Sequence, residues 1–163
     1  MATKQEVAQS LRAVVERAEE IAARLGEKDL ACPVCENGWS VKQIFAHLAS
    51  MGASPSFFIG MAQRAASGEG GGGGGGGFDI DAFNKQQVEL RKDRTTAELL
   101  AEFRQGHEAG IALINSTPDD VLGKQLPDPF RGGMATPLEM IQNSCSGHEG
   151  EHLDEVEAVL RGA

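Results

Sequence analysis

The stretch TPLEMIQNSCSGHEGEHLDEVEAVL, residues 136 to 160, carries the strongest helix signals in the chain. Thr136 is placed to cap. Pro137 stands at the first helical position, where its missing N–H costs nothing, and Glu139 completes a capping box. Leu138, Ile141, Cys145, His148, His152, Val156 and Val159 then recur at steps of three and four. An unbroken helix would aim all of them at the protein interior. Two of them are histidines, four residues apart, so their Cβ atoms lie about 5–6 Å apart on one face. Two imidazoles so placed can converge on one ion, because tetrahedral ligands at about 2.0–2.1 Å stand only roughly 3.3 Å from each other.

The rest of the chain reads as partners for this helix. Thr3 and Glu6 open a helix over Lys4 to Leu25, with Val7, Leu11, Val14, Ala18 and Ile21 on its apolar stripe and Gly26 as its stop. A loop from Glu27 to Gly38 holds Cys32-Pro33-Val34-Cys35. Ser40 and Gln43 cap a second helix, with Trp39 and Ile44 at the spacing of a hydrophobic staple. Pro55 should kink or break that helix before it resumes through Phe57, Phe58 and Met61 towards Ala66. The glycine run 70–77 predicts a mobile loop over residues 69–77. A short helix over Ile80 to Arg91 follows. Thr95 and Glu98 then cap a helix carrying Leu99, Leu100, Phe103, Ile111 and Ile114, which Pro118 stops. Thr117 to Ala135, rich in Pro, Gly and Asp, reads as a long loop, and no convincing strand pairs occur. Four long helices in one domain spanning residues 1–163 predict an all-α four-helix bundle.

On the second helix, Ile44, His47 and Met51 also step by three and four. Three imidazoles pointing into a bundle need partners there. Either each is satisfied by backbone or acid groups, or one metal satisfies all three. His107, between Phe103 and Ile111, sits at the edge of its stripe; it reads as a partly exposed histidine, with a fourth ligand or a proton carrier as the alternative. Cys145 reads as a small buried residue, with an extra ligand or thiol near the metal as the alternative. Glu149 and Glu151 fall off the histidine face and read as solvated acids, although Glu151 can reach a ligand histidine from outside. His148-Glu149-x-x-His152 also matches the zinc-protease motif. The usual downstream third ligand is missing, and Gly150 weakens the helix the motif needs. Cys32 and Cys35 lack the second pair that a zinc site requires. The glycine run lacks the Lys and Ser/Thr of a phosphate-binding loop.

Composition sets outer bounds. Apolar residues make up 40%, charged residues 24%, and Tyr is absent, a balance that favours helices over sheets. A net charge of −9 argues against nucleic acid and against anionic membrane surfaces as partners. No apolar run approaches the roughly 20 residues of a membrane span. The N-terminus lacks the apolar core of a signal peptide, and an odd number of cysteines, three, fits a reducing compartment. The expected location is therefore cytoplasmic.

Gly38-Trp39-Ser40-Val41-Lys42 leading to His47-Leu48, with Gly147-His148 and His152-Leu153 far downstream, resembles the DinB-like superfamily, which includes mycothiol-dependent maleylpyruvate isomerases and bacillithiol transferases. Phe78-Asp79-Ile80-Asp81-Ala82-Phe83-Asn84 and Arg91-Lys92-Asp93-Arg94-Thr95 resemble its third-helix entry. The resemblance implies an up-down-down-up bundle, often dimeric. It implies His47, His148 and His152 as ligands of zinc or nickel, and Asn84 near the metal cavity. It also implies chemistry on a low-molecular-weight thiol such as mycothiol or bacillithiol, by transfer to an electrophile or by isomerisation. Two other functions use the same residues. One is hydrolysis by a metal-activated water; the other is an idle, stress-response metal module closed by a fourth protein ligand.

Overall fold

The computed structural model describes residues 2–34, 38–68 and 79–162. Helix α1 spans Lys4–Ala22, α2 Glu27–Leu30, α3 Val41–Met51, α4 Ser54–Ala66, α5 Ile80–Glu89, α6 Thr96–Ser116 and α7 Asp119–Leu122. Strands β1 (Leu126–Pro127) and β2 (Met134–Ala135) pair antiparallel. Helix α8 (Pro137–Ile141), a π-helical segment Gln142–Gly147 and α9 (His148–Leu160) then form one continuous rod. The reciprocal capping boxes expected at Thr3/Glu6, Ser40/Gln43, Thr95/Glu98 and Thr136/Glu139 are all made. Each satisfies two otherwise orphaned backbone donors, which explains why these starts are sharp. The long connection before Thr136 departs from expectation in holding α7 and the two-residue hairpin. The loop after α1 likewise holds α2, with Gly26 as its N-cap. The glycine run and Cys35 lie outside the described residues.

Two apolar clusters set the direction of each rod. One joins Ala18 and Ile21 of α1, Ile44 and Phe45 of α3, Leu99 and Phe103 of α6, and Leu153 and Val156 of α9. The other joins Val7 and Leu11 of α1, Phe58 and Ile59 of α4, Ile111 and Ile114 of α6, and Leu138 and Ile141 of α8. Helix α1 therefore runs from the second cluster to the first. The α3–α4 rod and α6 run the opposite way, and α8–α9 returns. That is the up-down-down-up bundle, with α5 packed outside α3.

Pro55 breaks the second rod between Met51 and Ser54, as expected, and sits in the first turn of α4. Together Val41–Ala66 is long and apolar enough to cross a membrane by length and composition, which corrects the reading that no such run exists. Here its apolar side chains, Val41, Ile44, Phe45, Leu48, Phe58 and Ile59, form the protein core. Phe58 is fully buried, while Phe57 is half exposed and meets the ring of Phe130. Of the pair Phe57 and Phe58, only Phe57 can therefore contribute to an exposed surface.

Helix α6 lies against this break with no spare room. A Cβ on Gly106 would stand 2.5 Å from the backbone of Gly52, and one on Gly110 would stand 2.5 Å from Cβ of Pro55. Gly106→Ala must push two backbones apart, so it should destabilise the fold by about 1–3 kcal/mol despite alanine's better helix propensity. Gly150, also helical, faces open space. There the same substitution should stabilise by up to about 1 kcal/mol. Chemical denaturation of the two variants checks the opposite signs.

Candidate metal centre

The last rod buries Leu138, Ile141 and Cys145, as its periodicity predicts. Beyond them the buried residues are Glu149, Leu153 and Val156, and the first two of these fall one position later than expected. The cause is the π-helical segment Gln142–Gly147. A π-turn takes up one extra residue, and one residue of helix is roughly 100° of rotation. Everything after the segment is turned by that amount. His148 and His152 thereby leave the core stripe for its edge, where α3 passes.

There they meet His47, which is buried on α3. Ring centroids of His47 and His152 are 5.0 Å apart, those of His148 and His152 4.5 Å, and those of His47 and His148 6.3 Å. One ligand nitrogen from each ring falls within 4.8 Å of the others, and these three can hold a metal ion. Trp39, just ahead of the α3 cap, packs its ring 5.1 Å from His47 and walls the site.

Hydrogen bonds orient the pair on α9. Nδ1 of His148 lies 3.1 Å from Oε2 of Glu151, and Nδ1 of His152 lies 3.3 Å from Oε2 of Glu155. A carboxylate oxygen only accepts, so each Nδ1 carries the proton and each Nε2 presents its lone pair. Nε2 of His152 and Nδ1 of His47 are buried with no hydrogen-bond partner, a costly arrangement that a cation between them would relieve. Burial, then the neighbouring rings of His152 and His148, pushes His47 down to about 3. Burial, then His148, lowers His152 as well. Both rings are therefore neutral near pH 7, the form that ligates a metal.

Glu151 is exposed, as expected of a solvated acid, and it also reaches Nδ1 of His148, its alternative role. Glu155 was missed. Its signal was present, since His148/Glu151 and His152/Glu155 repeat the same three-residue step along one helix face. Glu149 was misread as a solvated acid. It is fully buried, and its Oε2 lies 2.9 Å from Nε2 of His107. His107 is correspondingly buried rather than partly exposed, and its Nδ1 donates to the carbonyl of Phe103 at 3.1 Å. With both ring nitrogens engaged, His107 has no donor left for a metal. Burial, against the opposing pull of His107, raises the carboxyl of Glu149. Glu149 is thereby occupied, and the upstream His47 stands where the zinc-protease reading wants a downstream ligand. Cys145 lies in the core, and burial and then Glu149 push its thiol well up. It is a packing residue outside the cluster. Asn84 is half-buried on α5 and makes no hydrogen bond to the three rings. Cys32 offers its thiol to the carbonyl of Lys28 at 3.4 Å.

With this geometry in view, comparison with known proteins places the chain. Residues 10–156 match the DinB superfamily. The chain belongs to the DinB superfamily. No curated protein matches the sequence. Among solved structures, YfiT from Bacillus subtilis, described as a probable metal-dependent hydrolase with an unusual four-helix bundle topology, superimposes with a TM-score of 0.72 at 18% identity. The match covers 97% of this chain and 86% of that one. The colibactin self-resistance protein ClbS, solved in complex with a double-stranded DNA, gives a TM-score of 0.72 at 16% identity, covering 97% and 95%. The second likeness overturns the exclusion of nucleic acid drawn from net charge, since a chain of this same fold is found on duplex DNA. Net charge sums the whole surface, whereas a duplex meets one face of it.

Two outcomes follow for the site. Glu155→Gln should weaken divalent-metal affinity by about 10–100-fold with little effect on folding, the usual loss when a ligand histidine's carboxylate partner is removed; chelator competition measures it. In chelated protein, the unfolded His47 takes a proton near pH 6.5 while the folded ring stays neutral to about 3. The unfolded state then binds more protons as pH falls, so stability present above pH 6.5 is lost below it, by up to about 1.4 kcal/mol per pH unit from this group. Denaturation curves at pH 7, 6 and 5 should show a shallower loss in His47→Gln.

Proposed function

We propose that this protein is a metal-dependent enzyme that activates a small thiol for transfer to an electrophile or for isomerisation. The observation that carries this reading is the donor set. Three imidazoles converge, two of them oriented by carboxylates, and no fourth His, Cys, Asp or Glu joins them among the described residues. Such a set suits zinc or nickel and leaves a coordination position for an outside ligand.

A bound divalent ion would supply Lewis acidity that lowers the pKa of a thiol placed beside it. The protein's own contributions are positional. His47 fixes one donor on α3, while Glu151 and Glu155 hold the protons of His148 and His152 away from the site. Trp39 supplies an apolar wall beside His47, against which a polarisable sulfur packs favourably. Mycothiol and bacillithiol are the thiols that the family likeness suggests. A second reading takes water in place of the thiol. It is favoured by the description of YfiT as a probable metal-dependent hydrolase, and the same ligand set serves it.

The experiment is a conjugation assay of zinc- and nickel-loaded protein with several low-molecular-weight thiols and a chromogenic electrophile, run beside ester and amide hydrolysis. Thiol-dependent turnover that falls at least about a hundredfold in His148→Ala, the scale of losing an electrostatic stabiliser of the transition state, is the expected result. Hydrolysis without any thiol dependence would transfer the assignment to water. Stoichiometric metal retained in both His47→Ala and His148→Ala would remove the site altogether.

A further inference from the structure

We propose that the buried pair His107–Glu149 is a positioning pair for the three histidines: it sets the rotation of α9 after the π-turn so that His148 and His152 face His47. The proposal rests on the metal-site reading above.

Apolar burial leaves part of the rotation of α9 undecided. Beyond Cys145, two stripes one residue apart compete for the core. One holds His148, His152, Val156 and Val159, and the other holds Glu149, Leu153, Val156 and Leu160. Val156 serves both, and Val159 and Leu160 are both half-buried against the same cluster. The second stripe carries one aliphatic side chain more, the fully buried Leu153, so apolar burial leans towards it, but the hydrophobic effect has no direction and sets the angle of a helix only loosely. A directional polar contact separates them strongly. The carbonyl of Phe103 can only accept, so Nδ1 of His107 keeps its proton. The 2.9 Å contact between Nε2 and Oε2 of Glu149 therefore shares one further proton, and the pair is neutral overall wherever that proton sits. Turn α9 back by one residue and His107 loses its partner inside the core, at the cost of a desolvated and unpaired polar group.

The other half of the contact is anchored. His107 lies between Gly106 and Gly110, the two positions at which α6 touches Gly52 and Pro55 with no room for a Cβ. Helix α6 is thus held against the rod that carries His47, and the pair refers α9 to that same rod. Surface ties from α1, with Arg17 reaching Asp154 and Glu157 of α9, are partly solvated and add little specificity. Stability is a poor account of the pair. Exchanging a buried ionic pair for apolar residues of similar volume is often neutral or stabilising.

The test uses the full chain carrying His107→Leu together with Glu149→Leu. Three quantities are read: the thermal midpoint, the zinc dissociation constant by competition with a chromophoric chelator, and amide hydrogen exchange across 148–156 in chelated protein. The expected result is a midpoint equal to or above the parent's, zinc affinity weakened at least about tenfold, and faster exchange in α9. Glu149→Gln, whose amide can donate to Nε2 of His107, should keep zinc affinity within about threefold of the parent, because the contact survives without the charge. Parental zinc affinity and exchange in the double variant would overturn the proposal. So would failure of the double variant to fold, or a loss in Glu149→Gln as large as in the leucine pair. A parent protein that binds no zinc would sink the metal reading instead, and α9 exchange in the double variant would then judge the pair alone.

Discussion

One extra residue in the last helical rod governs this molecule. The π-turn at Gln142–Gly147 rotates α9 about its axis. After that rotation a carboxylic acid, Glu149, occupies the core position that the preceding periodicity assigns to His148. His107 on α6 offsets part of the cost of burying that acid by engaging its Oε2, while its Oε1 stays buried without a partner. The histidines are released from the core to its edge, where α3 brings His47 to meet them. Bundle interior and metal site are consequences of the same local irregularity, which accords with the tendency of π-bulges to occur at functional sites.

The electrostatics of the three rings follow from where that rotation leaves them. His47 lies deep enough that desolvation alone outweighs any pull towards protonation, and its two histidine neighbours add to the effect. His148 and His152 are nearer to water and within reach of Glu151 and Glu155, one turn on along the same helix. Burial thus keeps one donor neutral, while carboxylate contacts orient the other two. The unsatisfied ring nitrogens of His47 and His152 mark the point at which a cation would lower the energy of the fold.

The close approach of α6 to the broken α3–α4 rod belongs to the same design. Gly106 and Gly110 let α6 approach Gly52 and Pro55 at the break with no room for a Cβ, so that one closely packed element serves as reference for the site. Chemistry is a separate matter. The same bundle topology accommodates a probable metal-dependent hydrolase and a protein found on duplex DNA, and a shared fold does not carry a shared reaction. What this chain can do depends on the three imidazoles and the two carboxylates that contact them.

Much of this was legible without coordinates. The four capping boxes announce the helix starts because each is a local exchange of hydrogen bonds within four residues. The Pro55 break is equally local. The apolar stripes, and with them an all-α bundle with His47, His148 and His152 drawn together, come from periodicity. Periodicity failed at Gln142–Gly147, because a π-turn leaves no mark in residue types and shifts every later position by one. Hence periodicity puts Glu149 on the surface and leaves His107 partly exposed, and it gives no role to Glu155. Those three assignments depend on which way a helix faces its neighbours. Only the packed tertiary structure decides that, since the rotation is fixed by what α9 meets across the bundle, Leu153 in the core and Glu149 against His107, 42 positions away in the chain.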